Sequence, residues 1–590
     1  MKQYYDYNHK MKIKNMVFAP LYGVKLNDGL YRRVFDNNRA FLTRLDVDRM
    51  RYWFDQKAGK PTAAAPYRGH FEDNLKGQTA YQALMGAGNA LRFEDDEYLR
   101  GLVDTIVGFI AEGAQENGFC MPVAEEDFAY KEYPHYVRIW LTYGLLAAWR
   151  GGSETAKELL RNWQDWFNQC VDLPVIKYLE LAFQGIVASP AVYMTSIGKP
   201  DDMEITREYY EEPWRLAQFM RMEPEAVYIR NQPGKEPHAH GTEMEAMEGY
   251  LDLYRYTGAN YYLKAVLGAW EMYRRDWRHL GGGIVMCEFE EGARPGCNIL
   301  NNEKRYNELC CTSFWMGVNQ RLHLLFPDEE KYVSEIEQSL YNVAFANQQG
   351  GEAIRYFAWL HKRKQEGGLN HCCCGVGTRI YGSLPEYLYT MSEDTVSVDI
   401  FANSELRWQH NAETVIISME TDYPYDNKVT LKIGLGSVAK YDSHLFSLKI
   451  RVPSYAKSAM YVTVNGAAAA TGEPGAYVTL VRSWADGDAI EFDVPIGLTR
   501  ELYRGAEEVS GYKRYGYMYG PVLMAVCGAF NHGDGILLPE RCRDLSALSL
   551  SPVPGGDSLT FDIPCAGYRL APYFAIDSEE FTCFPLIEDI

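Results

Sequence analysis

Before residue 395 apolar side chains recur at intervals of three and four, the spacing of helices that bury one face. Leu99, Leu102, Val103, Ile106, Phe109 and Ile110 form one stripe, closed by the stop signal Gly113. Tyr262, Leu263, Val266, Leu267, Trp270 and Tyr273 form a second, and Tyr332, Val333, Ile336, Leu340 and Val343 a third. Segments 137–150, 214–222, 245–256 and 308–325 read the same way, with breakers such as Thr257-Gly258 and Gly281-Gly282-Gly283 between stripes. So many amphipathic segments predict a helical toroid or barrel rather than a small bundle, although periodicity leaves their arrangement open.

Near residue 395 the period changes to two. Short alternating runs at 396–401, 414–420, 429–433, 444–452, 461–464, 477–481 and 489–494 are separated by turn chemistry, including Asn465-Gly466 and Asp486-Gly487-Asp488. Pro453 and Pro495 close two of them. This is the pattern of a β-sandwich of roughly 100 residues. A second β segment follows Arg500, where Gly520-Pro521 introduces an apolar run over 522–526. From Tyr568 to Ile590 the alternation is lost and no element is predicted.

At 590 residues the chain is too long for one hydrophobic core. Its 59 basic and 79 acidic residues give a net charge of −20, which argues against nucleic acid or an anionic membrane surface as partner. No run approaches the roughly 18–20 apolar residues that span a bilayer. The opening MKQYYDYNHKMKIKNMVF lacks the apolar core of a secretory leader, so the expected location is cytoplasmic, with thiols reduced. That changes the meaning of the thirteen cysteines. A disulfide scaffold is set aside, leaving burial, metal binding or catalysis.

Seven of the cysteines fall between 287 and 374, most densely in Glu308-Leu309-Cys310-Cys311 and His371-Cys372-Cys373-Cys374-Gly375. Two such groups can meet in space and offer thiolate and carboxylate ligands to one Zn²⁺. The spacing is not that of a zinc finger, and buried free thiols explain it equally well.

These residues also resemble a known family. Cys372-Cys373-Cys374-Gly375-Val376-Gly377-Thr378-Arg379, followed by Ser383-Leu384-Pro385-Glu386-Tyr387-Leu388-Tyr389, resembles the Cys-Cys signature of the zinc-dependent cysteine glycosidases of glycoside hydrolase family 127. Glu308-Leu309-Cys310 resembles that family's Glu-x-Cys element, and Leu45-Asp46-Val47-Asp48-Arg49 its N-terminal Leu-x-x-Asp-Arg element. Leu448-Lys449-Ile450-Arg451-Val452-Pro453, Val464-Asn465-Gly466, Arg482-Ser483-Trp484 and Tyr519-Gly520-Pro521 follow in the family's order. Together they cover most of residues 20–530.

The resemblance implies an α+β multidomain chain: an (α/α)6 barrel over 25–393, then a β-sandwich over 394–500 and a second β segment or sandwich over 501–590. Segment 1–24 would precede the barrel and could add a strand to the β region. It implies a Zn²⁺ held by Glu308, Cys310, Cys372 and Cys373, with Cys372 also the glycosidic nucleophile. A shift of one residue would use Cys373 and Cys374 instead. Glu288, after Gly282-Gly283, takes the acid/base position, with Glu290 and Glu291 as alternatives. His238 and His240 would bind sugar hydroxyls. Departures from the family pattern are Cys287 where glycine is usual, and Lys76-Gly77-Gln78-Thr79-Ala80-Tyr81 in place of a Gly-His element. The implied activity is a retaining exo-glycosidase releasing a terminal β-L-arabinofuranosyl or related sugar from a small oligosaccharide or glycoside. No nucleic acid and no membrane is expected as partner, and a homodimer stays open. The rival readings are a helical-toroid epimerase or lyase, and a carbohydrate-binding protein with structural zinc.

Overall fold

A computed structural model of the chain describes residues 12–13, 17–68, 75–130, 132–170, 213–229, 238–239, 243–285, 298–304, 306–411, 413–436, 443–545, 551–552 and 559–588. Local chemistry starts the outer helices. The Asp46 carboxylate accepts the Asp48 and Arg49 amides to cap Val47–Lys57, and Asp96 accepts the Leu99 amide to cap Glu97–Glu112. The Glu97–Glu112 helix then buries the stripe from Leu99 to Ile110 and leaves its polar face outside.

Inside these lie helices with little or no exposed face. In Gln78–Leu91 every residue is buried. Its neighbours through the barrel run in order: Glu243–Thr257, Leu309–Leu325, Cys372–Gly382, Gln78–Leu91 and Glu132–Arg150, each packed on the next. The outer helices Glu97–Glu112, Glu154–Cys170, Asn260–Asp276 and Lys331–Ser339 each follow an inner helix in the chain and pack against it. This in-and-out alternation makes the helical barrel. Glycine allows the inner helices to touch: a Cβ on Gly88 would lie 2.4 Å from the Ala147 carbonyl carbon, and one on Gly144 would lie 2.6 Å from the Tyr81 oxygen. The third predicted stripe is Lys331–Ser339 continued by a π-helical turn, Leu340–Phe345. There Asn342 donates to the carbonyls of Gly281 and Pro521 and accepts the Leu523 amide, tying the barrel to the C-terminal sheet.

Two sheets carry the period-two region. One has the strand order Val24–Leu26, Ser404–His410, Glu413–Thr421, Lys428–Leu435, Ala489–Asp493, Met460–Val464, Ala467–Gly472. The chain's early strand Val24–Leu26 thus extends this sheet, antiparallel to Ser404–His410. The other runs Ala476–Ala485, Ser443–Val452, Thr395–Val398, Tyr389–Met391. Arg451, fully buried, bonds Glu330 and Glu337 of the helical part at 2.7 Å each, so sandwich and barrel share a buried ionic cluster.

The third sheet gathers Leu498–Leu502 with the remaining C-terminal strands around Val522–Cys527, which is buried along its whole length. The tail with no predicted element supplies Tyr568–Pro572, Phe581–Thr582 and Leu586–Glu588. The last two are too short to show a period and mostly buried, which erases the alternation. One strand of this sheet, His361–Lys362, comes from the helical region and pairs with Phe581–Thr582. Among the described residues no helix is long and apolar enough to cross a membrane.

Candidate active site

Two inner helices begin at the same end of the barrel, and the acid and thiols sit on their first turns. Glu308 is the residue before Leu309–Leu325 and keeps extended backbone (φ −69°, ψ 137°), with Cys310 in the first turn behind it. Cys372 and Cys373 open Cys372–Gly382 after His371. The positive ends of both helix dipoles therefore face the sulfurs, an arrangement that favours thiolate.

One carboxylate oxygen of Glu308 and the sulfurs of Cys310, Cys372 and Cys373 lie within 4.8 Å of one another, all buried. Cys310 Sγ is 3.3 Å from Cys373 Sγ. Glu308 Oε1 lies 3.9 Å from Cys372 Sγ and 3.7 Å from Cys373 Sγ, while Cys311 Sγ is 3.7 Å from the other oxygen. Successive helix positions turn by about 100°, so three cysteines in a row cannot all face one point. The third turns away: Cys374 donates to the Gly368 carbonyl at 3.4 Å. Gly375 has its own reason, since a Cβ there would lie 2.3 Å from Gln82 Cγ on the neighbouring inner helix. Three converging sulfurs and one carboxylate, in a dry setting and with no lysine or arginine among them, fit a metal ion that takes sulfur and oxygen ligands.

Charge in this cluster is unevenly shared. Burial, then the charge of Cys372, pushes the Glu308 carboxyl up to about 8. Burial raises the Cys310 and Cys373 thiols as well. Cys372 goes the other way. Burial opposes its ionisation, but hydrogen bonds from Cys310 and Cys373, the adjacent His371 and the Tyr356 hydroxyl hold its thiol well below the ordinary range. Of the three converging sulfurs, Cys372 is the one whose thiol is shifted downward.

Tyr356 reaches the cluster from a strap that follows the outer helices, its Oη 3.2 Å from Cys372 Sγ. The strap is pinned to the helix start. Leu309 N donates to Tyr356 O at 3.1 Å, and Asn307, in the left-handed region at φ 61°, donates its side-chain amide to Ala358 O at 2.9 Å. Gln365 Oε1 accepts the amides of both Tyr356 and Phe357. His371 packs its ring 5.0 Å from that of Tyr356 and places Nε2 3.0 Å from Ile354 O. Sequence reasoning missed Tyr356, which stands in no motif and is one of 44 tyrosines.

The structure thus brings together Glu308, Cys310, Cys372 and Cys373. The acid/base candidates Glu288, Glu290 and Glu291 lie outside the described residues, as does His240. His238 belongs to a two-residue strand paired with Tyr228–Ile229, and its side chain is outside the described part.

Comparison with protein-family models identifies the chain as a glycoside hydrolase. The model of the β-L-arabinofuranosidase GH127 catalytic domain matches residues 23–386, and that of the GH127 middle domain matches residues 395–496. The chain belongs to glycoside hydrolase family 127. Solved structures agree at the level of fold. A GH127 β-arabinofuranosidase superposes with a TM-score of 0.76 at 17% identity, covering 99% of each chain. The GH127 β-L-arabinofuranosidase from Geobacillus stearothermophilus T6 gives 0.72 at 17% identity, covering 96% of this chain and 100% of that one. A protein described as a glycoside hydrolase gives 0.71 at 15% identity, over 100% and 99%. No curated protein sequence matches the chain.

Proposed function

We propose that the protein is a retaining exo-glycosidase that releases a terminal β-L-arabinofuranosyl or closely related sugar. The observation that carries this reading is the buried meeting of Glu308, Cys310, Cys372 and Cys373 at two helix N-termini. Glu308, Cys310, Cys372 and Cys373 would hold the metal, and zinc suits their donor chemistry. When bound, zinc supplies positive charge that keeps thiol ligands deprotonated at neutral pH.

The chain's own groups divide the work. Cys372 Sγ attacks the anomeric carbon, forming a C–S bond as the C–O bond to the leaving group breaks. Its helix start and the Tyr356 hydroxyl fix its direction, which removes much of the entropic cost of attack. A carboxylic acid, assigned to Glu288 by its place in the family pattern, gives its proton to the departing oxygen. The same carboxylate then takes a proton from water, which cleaves the C–S bond with net retention. His238 and His240 are the proposed sugar-hydroxyl ligands. The need for a reduced Cys372 suits a cytoplasmic location.

A panel of chromogenic furanosides and pyranosides tests the reading. Release from β-L-arabinofuranosides with retained anomeric configuration is expected, and its loss in Cys372→Ala. Full activity in that variant overturns the nucleophile assignment, and turnover of pyranosides alone overturns the sugar.

A further inference from the structure

The third sheet brings two more thiols together, outside the Glu308 cluster. Cys542 lies in the turn Glu540–Arg543, which follows the strand Leu537–Leu538. Cys565 lies in the turn between Phe561–Ile563 and Tyr568–Pro572. In the sheet order Leu537–Leu538 stands at one edge, and Phe561–Ile563 is next to the last strand at the other. The sheet curls far enough for the two turns to meet. Cys542 Sγ lies 3.3 Å from Cys565 Sγ, and the Arg541 guanidinium donates to the Cys565 carbonyl at 2.9 Å.

Two ordinary explanations for close thiols fall short here. A metal site needs further ligands, and among the described residues no third His, Cys, Asp or Glu joins this pair. Packing explains a buried thiol such as Cys542, but not a second sulfur, half-buried, set directly against it. Thiol–disulfide chemistry accounts for both. A disulfide holds its sulfurs about 2 Å apart, so closure needs an approach of little more than 1 Å. The two sulfurs are also unequal. Burial, then the adjoining Cys565, pushes the Cys542 thiol up to about 12. Cys565, the one that solvent reaches, meets an oxidant first.

The geometry points to Cys542 and Cys565 as a reversible redox-modification site that closes to a disulfide with hydrogen peroxide as oxidant. The Cys565 thiol gives up its proton and its sulfur attacks one peroxide oxygen. The O–O bond breaks, leaving a sulfenic acid, and the departing hydroxide takes that proton to become water. Cys542 Sγ then attacks Cys565 Sγ. The S–S bond forms, and the sulfenic hydroxyl leaves with the Cys542 proton as a second water. Two thiols lose two electrons, and one peroxide becomes two waters. The new bond links residues 23 positions apart, and restraining that loop in the unfolded chain stabilises the folded sheet. None of this depends on the activity assigned above.

Peptide mapping by mass spectrometry tests the site. The reduced full chain is treated with hydrogen peroxide, its remaining thiols are alkylated, and the digest is run without reductant. A peptide pair joined through Cys542 and Cys565 is expected in most molecules, and dithiothreitol should separate it. Melting curves of the parent and of Cys565→Ser give a second reading. The parent should gain a few degrees over the variant on oxidation and lose that gain on reduction. Recovery of both cysteines alkylated, or oxidised with no link between them, overturns the proposal. So does a melting difference that oxidation leaves unchanged. Should Cys565→Ser fail to fold, the peptide map of the unaltered chain decides: the joined pair supports the site and its absence overturns it.

Discussion

The Tyr356 hydroxyl lies 3.2 Å from the Cys372 sulfur, although the two residues come from a strap and a helix with no sequence motif in common. A neutral hydroxyl that donates to a thiolate stabilises it by about 1.5–3 kcal/mol. Tyr356→Phe should therefore lower kcat/KM roughly 10- to 100-fold and raise the pH at which Cys372 is alkylated. Unchanged kinetics would remove Tyr356 from the site.

The cysteine run gives a sharper comparison. Cys373 faces the cluster and Cys374 faces the Gly368 carbonyl. On the proposed zinc site, Cys373→Ser should lower bound metal to a small fraction of one per chain, whereas Cys374→Ser should keep both metal and activity. Metal analysis by mass spectrometry reads the difference, and the reverse outcome would move the ligand register by one residue.

The same substitution should have opposite effects on inner and outer helices. Gly88→Ala drives a methyl to 2.4 Å from the Ala147 carbonyl carbon, and overpacking between backbones costs about 1–3 kcal/mol or more. Gly101→Ala, on the exposed side of Glu97–Glu112, meets nothing within 4 Å and should stabilise by about 0.5–1 kcal/mol. Urea unfolding midpoints measure both.

Two buried histidines set an acid limit. Burial lowers the pKa of His279 and of His361 to about 3. In the unfolded chain each titrates near 6.5, so between those values the unfolded state binds more protons. Stability is therefore intact above about pH 6.5 and falls as pH drops, by about 2 kcal/mol per histidine at pH 5. Urea titrations at pH 7 and pH 5 should show the loss, and His361→Gln should remove about half of it. An equal loss in the variant would exclude His361 as a source.

What could be read from the sequence follows from which faces meet water. The Glu97–Glu112 and Asn260–Asp276 stripes were legible because each helix has one wet side and one dry side. Gln78–Leu91 has no wet side, so its small and polar residues carry no period and it was not predicted. The Cys310–Cys311 and Cys372–Cys374 groups were visible as local density. Their meeting was implied by the family resemblance and not by spacing, because it depends on Leu309–Leu325 and Cys372–Gly382 packing together. Tyr356 was invisible for a related reason: its role comes from the hydrogen bonds of Asn307 and Gln365, not from its neighbours in the chain.

The pairing of His361–Lys362 with Phe581–Thr582 has a consequence for how this enzyme is inherited. The strap that carries Tyr356 is anchored at its far end by the tail: Cys583 N donates to Leu360 O at 2.9 Å, Tyr573 Oη to Trp359 O at 2.7 Å, and Arg355 to Asp577 at 2.6 Å. The strap beside the cluster is therefore held by residues more than two hundred positions downstream. Shuffling that exchanged the tail for another module would leave all four cluster residues in place and still undo the surroundings of Cys372. The barrel and its last strands can only be passed on together.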